Sequence, residues 1–89
     1  PKTWADGLLT GLGEPNFRIL RELGVRIITV DEACIVAAAR FFLERMKLVV
    51  EPSAATVLAA LRALGPAVAG KRVGAILSGG NTDFAWLEH

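Results

Sequence analysis

Residues that small proteins use for covalent bracing or self-contained chemistry are scarce in this sequence. One cysteine, Cys34, stands in 89 residues, which excludes an internal disulfide and any cysteine-based metal site and fits a reducing cytoplasm. The one histidine is the terminal His89, so Ser-His-Asp and Cys-His nucleophile arrangements have no members. No basic cluster exceeds two residues, and ten basic against nine acidic residues leave a net charge of +1. Nucleic-acid and membrane-surface binding therefore lack their electrostatic footprint. No apolar run approaches the roughly 18–20 residues that span a bilayer. Pro1-Lys2-Thr3-Trp4 leads into Asp6-Gly7 without the apolar core of a signal peptide. Internal repeats and low-complexity tracts are also missing.

What is present is apolar. At 53% hydrophobic residues the chain is far from the composition of disorder. A chain of this size buries only about 60–65% of its unfolded surface, less than so much Ala, Val, Ile and Leu requires. The expectation is a piece of something larger or an obligate oligomer. The start lacks Met, and Leu87-Glu88-His89 reads as an expression-tag remnant. Residues 1–86 are thus expected to be a C-terminal fragment, with 87–89 outside the functional argument.

Punctuation along the chain predicts alternating elements. Gly11, Gly13 and Pro15 read as a loop, after which Asn16 can cap a helix to about Leu23, stopped by Gly24. Val25–Val30, β-branched apart from Arg26, is the clearest strand. Asp31 or Thr29 can cap a helix over Glu32–Lys47, whose apolar residues Cys34, Ile35, Ala38, Phe41, Phe42 and Met46 cover well over half its circumference. Such a helix is buried on more than one side. Pro52 suits the start of an Ala-rich helix over Ser53–Leu64, ended by Gly65-Pro66. Arg72–Leu77 reads as a second strand running into Ser78-Gly79-Gly80-Asn81. Helix, strand, two helices, strand argues an α/β fold with a parallel sheet flanked by helices. Two or three strands do not complete such a sheet.

Three places could carry chemistry. In open α/β sheets ligands collect at the carboxyl ends of strands, and Ser78-Gly79-Gly80-Asn81 offers a hydroxyl followed by two residues that let backbone approach a ligand. The plainer reading is a tight turn after a buried strand. Glu51, between Leu48-Val49-Val50 and a helix start, is a partly buried carboxylate in need of a partner, or simple charge compensation at a helix N-terminus worth about 0.3–1 kcal/mol. Asp6-Gly7 is a close backbone approach or an ordinary turn. Gly7, Gly11 and Gly13 have the wrong spacing for a dinucleotide fingerprint. Cys34 reads as a small buried hydrophobe, and Trp4 and Trp86 as packing residues.

Taken in order, Thr3-Trp4-Ala5-Asp6-Gly7-Leu8, Val49-Val50-Glu51-Pro52-Ser53-Ala54 and Leu77-Ser78-Gly79-Gly80-Asn81-Thr82-Asp83 resemble the C-terminal part of the serine/threonine dehydratases. These are fold-type II pyridoxal-phosphate enzymes, a group that includes serine racemase. Phe17–Glu22 and Ile28–Glu32 sit where that family has similar segments, so the resemblance runs from about Thr3 to Asp83. It implies the C-terminal part of the catalytic large domain, incomplete on its own, with pyridoxal 5′-phosphate as cofactor. The lysine bonded to the cofactor and the loop holding its phosphate would lie upstream, leaving no catalytic residue in this chain. Ser78 would hydrogen-bond the pyridine nitrogen, Gly79 and Gly80 would pass close to the ring, and Asn81 would hold the turn. Glu51 would lie near the ring, Gly7 would line the pocket, and Thr10 would stand near the substrate carboxylate. Trp4 departs from the aliphatic residue of many relatives.

The implied reaction is elimination of water from a β-hydroxy amino acid, giving a 2-oxo acid and ammonia. Racemisation stays open, as does the choice of amino acid. The implied partners are that substrate, the N-terminal part of the same enzyme and a second subunit in a homodimer. Two other readings are a non-catalytic α/β interaction module that kept the scaffold without the lysine, and a small-ligand-binding domain using the same loop.

Overall fold

Three helices and two short 3-10 turns organise the computed structural model, which describes Thr3, Ala5 and residues 13–88. Helix α1 spans Glu14–Glu22. It begins ahead of the expected Asn16 cap because Pro15, expected in the loop, occupies the first turn behind Gly13 at the N-cap. A proline there gives up an N–H that would have no helical partner. Gly24, at φ +72°, ends the helix. Its N–H donates to the Arg21 carbonyl (3.1 Å) and that of Val25 to Leu20 (3.0 Å), the paired closure of a Schellman turn.

Helix α2 spans Glu32–Arg45, and Asp31 caps it: the Cys34 N–H donates to Asp31 Oδ1 at 2.8 Å. Helix α3 spans Pro52–Leu64, with Pro52 in its first turn and Glu51 at its N-cap. The two helices pack against each other through Ala38, Ala39, Ala54, Ala55 and Ala59, all essentially without solvent exposure. Ile35, Val36, Phe42 and Val50 complete this core. Trp86, on the 3-10 turn Ala85–Glu88, enters it as its largest fully buried side chain. An indole of this kind removes roughly 150–250 Å² from water, on the order of 4–6 kcal/mol before conformational entropy is counted. The Arg40 guanidinium on α2 donates to the Leu87 carbonyl (2.6 Å), seating the turn. Leu87, expected to belong to a tag remnant, is half-buried against this core.

Several expectations change. Cys34 is exposed, not buried, because the first turn of α2 projects it beyond the face that meets α3. Phe41 and Met46 are exposed as well, so one face of α2 is covered where two were expected. Val25–Val30 and Arg72–Leu77 pair with no strand, and no sheet forms among the described residues. An extended segment becomes a strand only when a neighbour takes its backbone N–H and C=O groups. Most apolar side chains of both segments stand open, Ile27 at 65% and Ile76 at 85% exposure, while Val30 packs against the core. No helix of the described residues is long and apolar enough to cross a membrane.

Candidate functional site

The start of α3 and the loop after Leu77 meet at one corner. Pro52 fixes the first turn of α3, leaving Glu51 in extended conformation at the N-cap, where its carbonyl accepts from the Ala54 and Ala55 N–H groups, both at 3.0 Å. The Glu51 side chain makes no capping bond to α3. Its backbone N–H instead donates to the Gly79 carbonyl at 3.1 Å, and its carboxylate lies over Gly79. A Cβ built on Gly79 would overlap Glu51 Oε1, and one on Gly80 would come 2.5 Å from the Val49 carbonyl oxygen. The two obstacles differ: at Gly79 it is the movable end of the Glu51 side chain, and at Gly80 it is main chain that cannot swing aside.

The far side of the loop is held differently. Thr82 Oγ1 accepts from the Trp86 indole N–H (2.7 Å) and from the Phe84 N–H (3.3 Å). Asp83 Oδ1 accepts from the Ala85 N–H at 3.0 Å. Phe84 adopts φ +65°, uncommon for a bulky residue, and its ring packs on Trp86 with centroids 5.8 Å apart.

Of the residues singled out in the sequence, Glu51 and Gly79 are brought into contact and Gly80 lies against Val49, while Ser78 and Asn81 flank them with exposed side chains. Gly7 and Thr10 lie outside the described residues, as do Trp4 and Asp6. Three contributors escaped the sequence: the Val49 carbonyl, Thr82 and the Trp86 N–H. Only the four-residue step from Thr82 to Trp86 could have hinted at the last pair. A separate groove of about 610 Å³ lies along the outer face of α2, lined by Val36, Arg40, Phe41 and Glu44 together with Arg62 of α3. Arg62 stacks there over the Phe41 ring at 4.8 Å. None of the candidate residues belongs to it.

At the N-terminus of α2 the Cys34 N–H holds the exposed Asp31 carboxyl below its ordinary value. The Asp31 carboxylate in turn pushes the Cys34 thiol up, away from the thiolate form that reactive cysteines need.

Known proteins similar to this chain identify its family. The family model described as pyridoxal-phosphate dependent enzyme matches residues 1–79. The chain belongs to this family. Its resemblance to the fold-type II dehydratases extends to individual members. An L-threo-3-hydroxyaspartate ammonia-lyase of Pseudomonas sp is 50% identical over 85 residues, covering 94% of this chain and 27% of that protein. A serine racemase of Schizosaccharomyces pombe is 41% identical over 90 residues, covering 100% and 28%. The crystal structure of a T.th. threonine deaminase superposes with a TM-score of 0.78 at 43% identity, covering 96% of this chain and 31% of that one. The chain thus spans about 27–31% of the length of these relatives.

Proposed function

We propose that residues 1–86 form the C-terminal part of the catalytic large domain of a lyase that eliminates water from a β-hydroxy amino acid. The products are a 2-oxo acid and ammonia. The observation that carries this reading is the contact of Glu51 with Gly79, which joins the Glu-Pro-Ser and Ser-Gly-Gly-Asn motifs at one corner. The Pseudomonas relative, named for its action on a 3-hydroxyaspartate, supports a β-hydroxy amino acid as substrate.

The corner fits pyridoxal phosphate by its chemistry. Two successive residues without side chains leave flat backbone beside a half-buried carboxylate, and a hydroxyl stands at the exposed edge. When bound, the cofactor supplies an electron sink for bond cleavage at the substrate α-carbon. Ser78 would offer the pyridine nitrogen a neutral hydroxyl. A carboxylate there would fix a proton on that nitrogen, whereas the hydroxyl pulls less strongly and so favours loss of the β-hydroxyl over lingering charge at the α-carbon. Gly79 and Gly80 would let the backbone pass close to the ring, with Glu51 against Gly79 from the helix side. Asn81 closes the turn. Gly7 would line the pocket and Thr10 would stand near the substrate carboxylate.

The lysine that bonds the cofactor and the loop that holds its phosphate are assigned upstream, in the N-terminal part of the same enzyme. The helices and the two open extended segments would complete a parallel sheet with that part. A homodimer in the cytoplasm completes the reading, the latter supported by the free, exposed Cys34 thiol.

The test is release of 2-oxo acid by the full-length protein from L-threo-3-hydroxyaspartate, threonine and serine, before and after removal of pyridoxal phosphate. Release that stops with removal and returns on adding the cofactor is expected; no release from any of the three in cofactor-loaded protein would overturn the assignment. Ser78→Ala should depress turnover mildly, and Ser78→Asp should divert substrate into side reactions. Equal elimination rates in the parent and both variants would remove Ser78 from its role.

A further inference from the structure

Fixing the Ser78–Asn81 loop requires something on each side of it. On one side the Glu51 N–H donates to the Gly79 carbonyl. On the other side stands Thr82, next in the chain after Asn81. Its hydroxyl oxygen accepts two hydrogen bonds, from the Trp86 indole at 2.7 Å and the Phe84 N–H at 3.3 Å.

Trp86 is 1% exposed and sits in the α2–α3 core. An indole so enclosed moves only if the core opens. Its neighbour Leu87 is tied to α2 by the Arg40 guanidinium. Among the described residues after Asn81, Thr82 is the one whose side chain hydrogen-bonds to this buried indole. Phe84 keeps its unusual φ of +65° within this same turn, as expected where the surroundings over-determine the backbone.

We infer that Thr82 is a positioning residue for the cofactor loop, transmitting the fixed place of the Trp86 indole to Ser78–Asn81. The inference rests on the pyridoxal-phosphate reading of that loop. A buried indole N–H has few acceptors to choose from, so loss of the threonine oxygen frees the loop and leaves the donor unpaired.

The experiment uses the full-length protein with Thr82→Val, Thr82→Ser, Trp86→Phe and the Thr82→Val/Trp86→Phe pair, well below their unfolding temperatures. The readouts are the Kd for pyridoxal phosphate and the visible circular dichroism of the bound cofactor, which reports how rigidly it is held. Thr82→Val should weaken cofactor binding about 3- to 10-fold, the scale of one hydrogen bond, and reduce the dichroism. Thr82→Ser should restore both. Trp86→Phe keeps an aromatic ring in the core and loses the donor, so it should reproduce the valine effect on cofactor binding, and the pair should be no worse than either single change. A valine variant that unfolds earlier but keeps the parent's Kd and dichroism would show a turn brace only and overturn the inference, as would additive losses in the pair or no restoration by serine. A parent protein that takes up no cofactor would overturn the functional reading and this inference together.

Discussion

Helices α2 and α3 with Trp86 differ from α1 and the two extended segments in one respect above all: what their apolar residues touch. The first region hides Ile35, Phe42, Val50 and the indole in a core that leaves each almost dry. The second is as rich in large apolar side chains, yet α1 buries none of its residues, and Leu23, Ile27 and Ile76 stand 73%, 65% and 85% exposed. Apolar content thus measures a demand for burial, and among the described residues the demand is met in one region only. Large open apolar surface on a folded unit marks a place for a partner, here assigned to the remainder of the enzyme.

The contrast can be broken at its strongest point. Trp86→Ala should cost about 3–5 kcal/mol in urea unfolding of the 89-residue chain, the usual toll of emptying a large aromatic site. Ile76→Ala in the same chain should stay within about 0.5 kcal/mol, and should rise to roughly 2–4 kcal/mol in the full-length protein if a sheet covers it there. Equal small effects in both settings would mean that the open region is never covered.

At the corner between the regions, Gly80→Ala should cost about 1–3 kcal/mol of overpacking strain, because its methyl meets the Val49 main chain. Gly79→Ala should be milder, since the Glu51 carboxylate can rotate away, and adding Glu51→Ala should relieve it further. Thermal unfolding of the four proteins checks the order. A Gly79 variant worse than the Gly80 variant would contradict the backbone contact.

The smallest effect concerns the α2 cap. The Asp31 carboxyl is held below its ordinary value of 3.8, so the cap is at full strength above that pH and fades as pH falls through the lower folded value. Asp31→Asn keeps a capping oxygen without titrating. The parent should therefore lose more Tm than the variant when acidified below pH 3.8; parallel curves would remove Asp31 from the acid response.

Local punctuation made the helices legible. Asp31 before α2, Pro52 inside α3 and Gly24 after α1 act within a few residues of themselves, so their chemistry is written in the chain order. Asn16 misled because Pro15 beside it serves equally well one turn earlier. The strands could be read as segments that favour extension, but pairing depends on neighbours at a distance, and none is found among the described residues. Cys34 was misjudged for a related reason: periodicity states which residues share a face, not whether something covers it. The corner was legible as two motifs. The Val49 carbonyl was not, since main-chain oxygens carry no signature, and the bond from Trp86 to Thr82 depends on an unusual turn at Phe84.

The alanines between α2 and α3 have a mechanical meaning. Alanine has no side-chain torsion that can adjust to a neighbour, so a seam built from Ala38, Ala39, Ala54, Ala55 and Ala59 cannot accommodate sliding by repacking. The two helices either fit or part. Any push on the start of α3, where Glu51 meets the glycine loop, is consequently passed to α2 as displacement rather than absorbed as rotamer changes, and the pair behaves as one stiff lever.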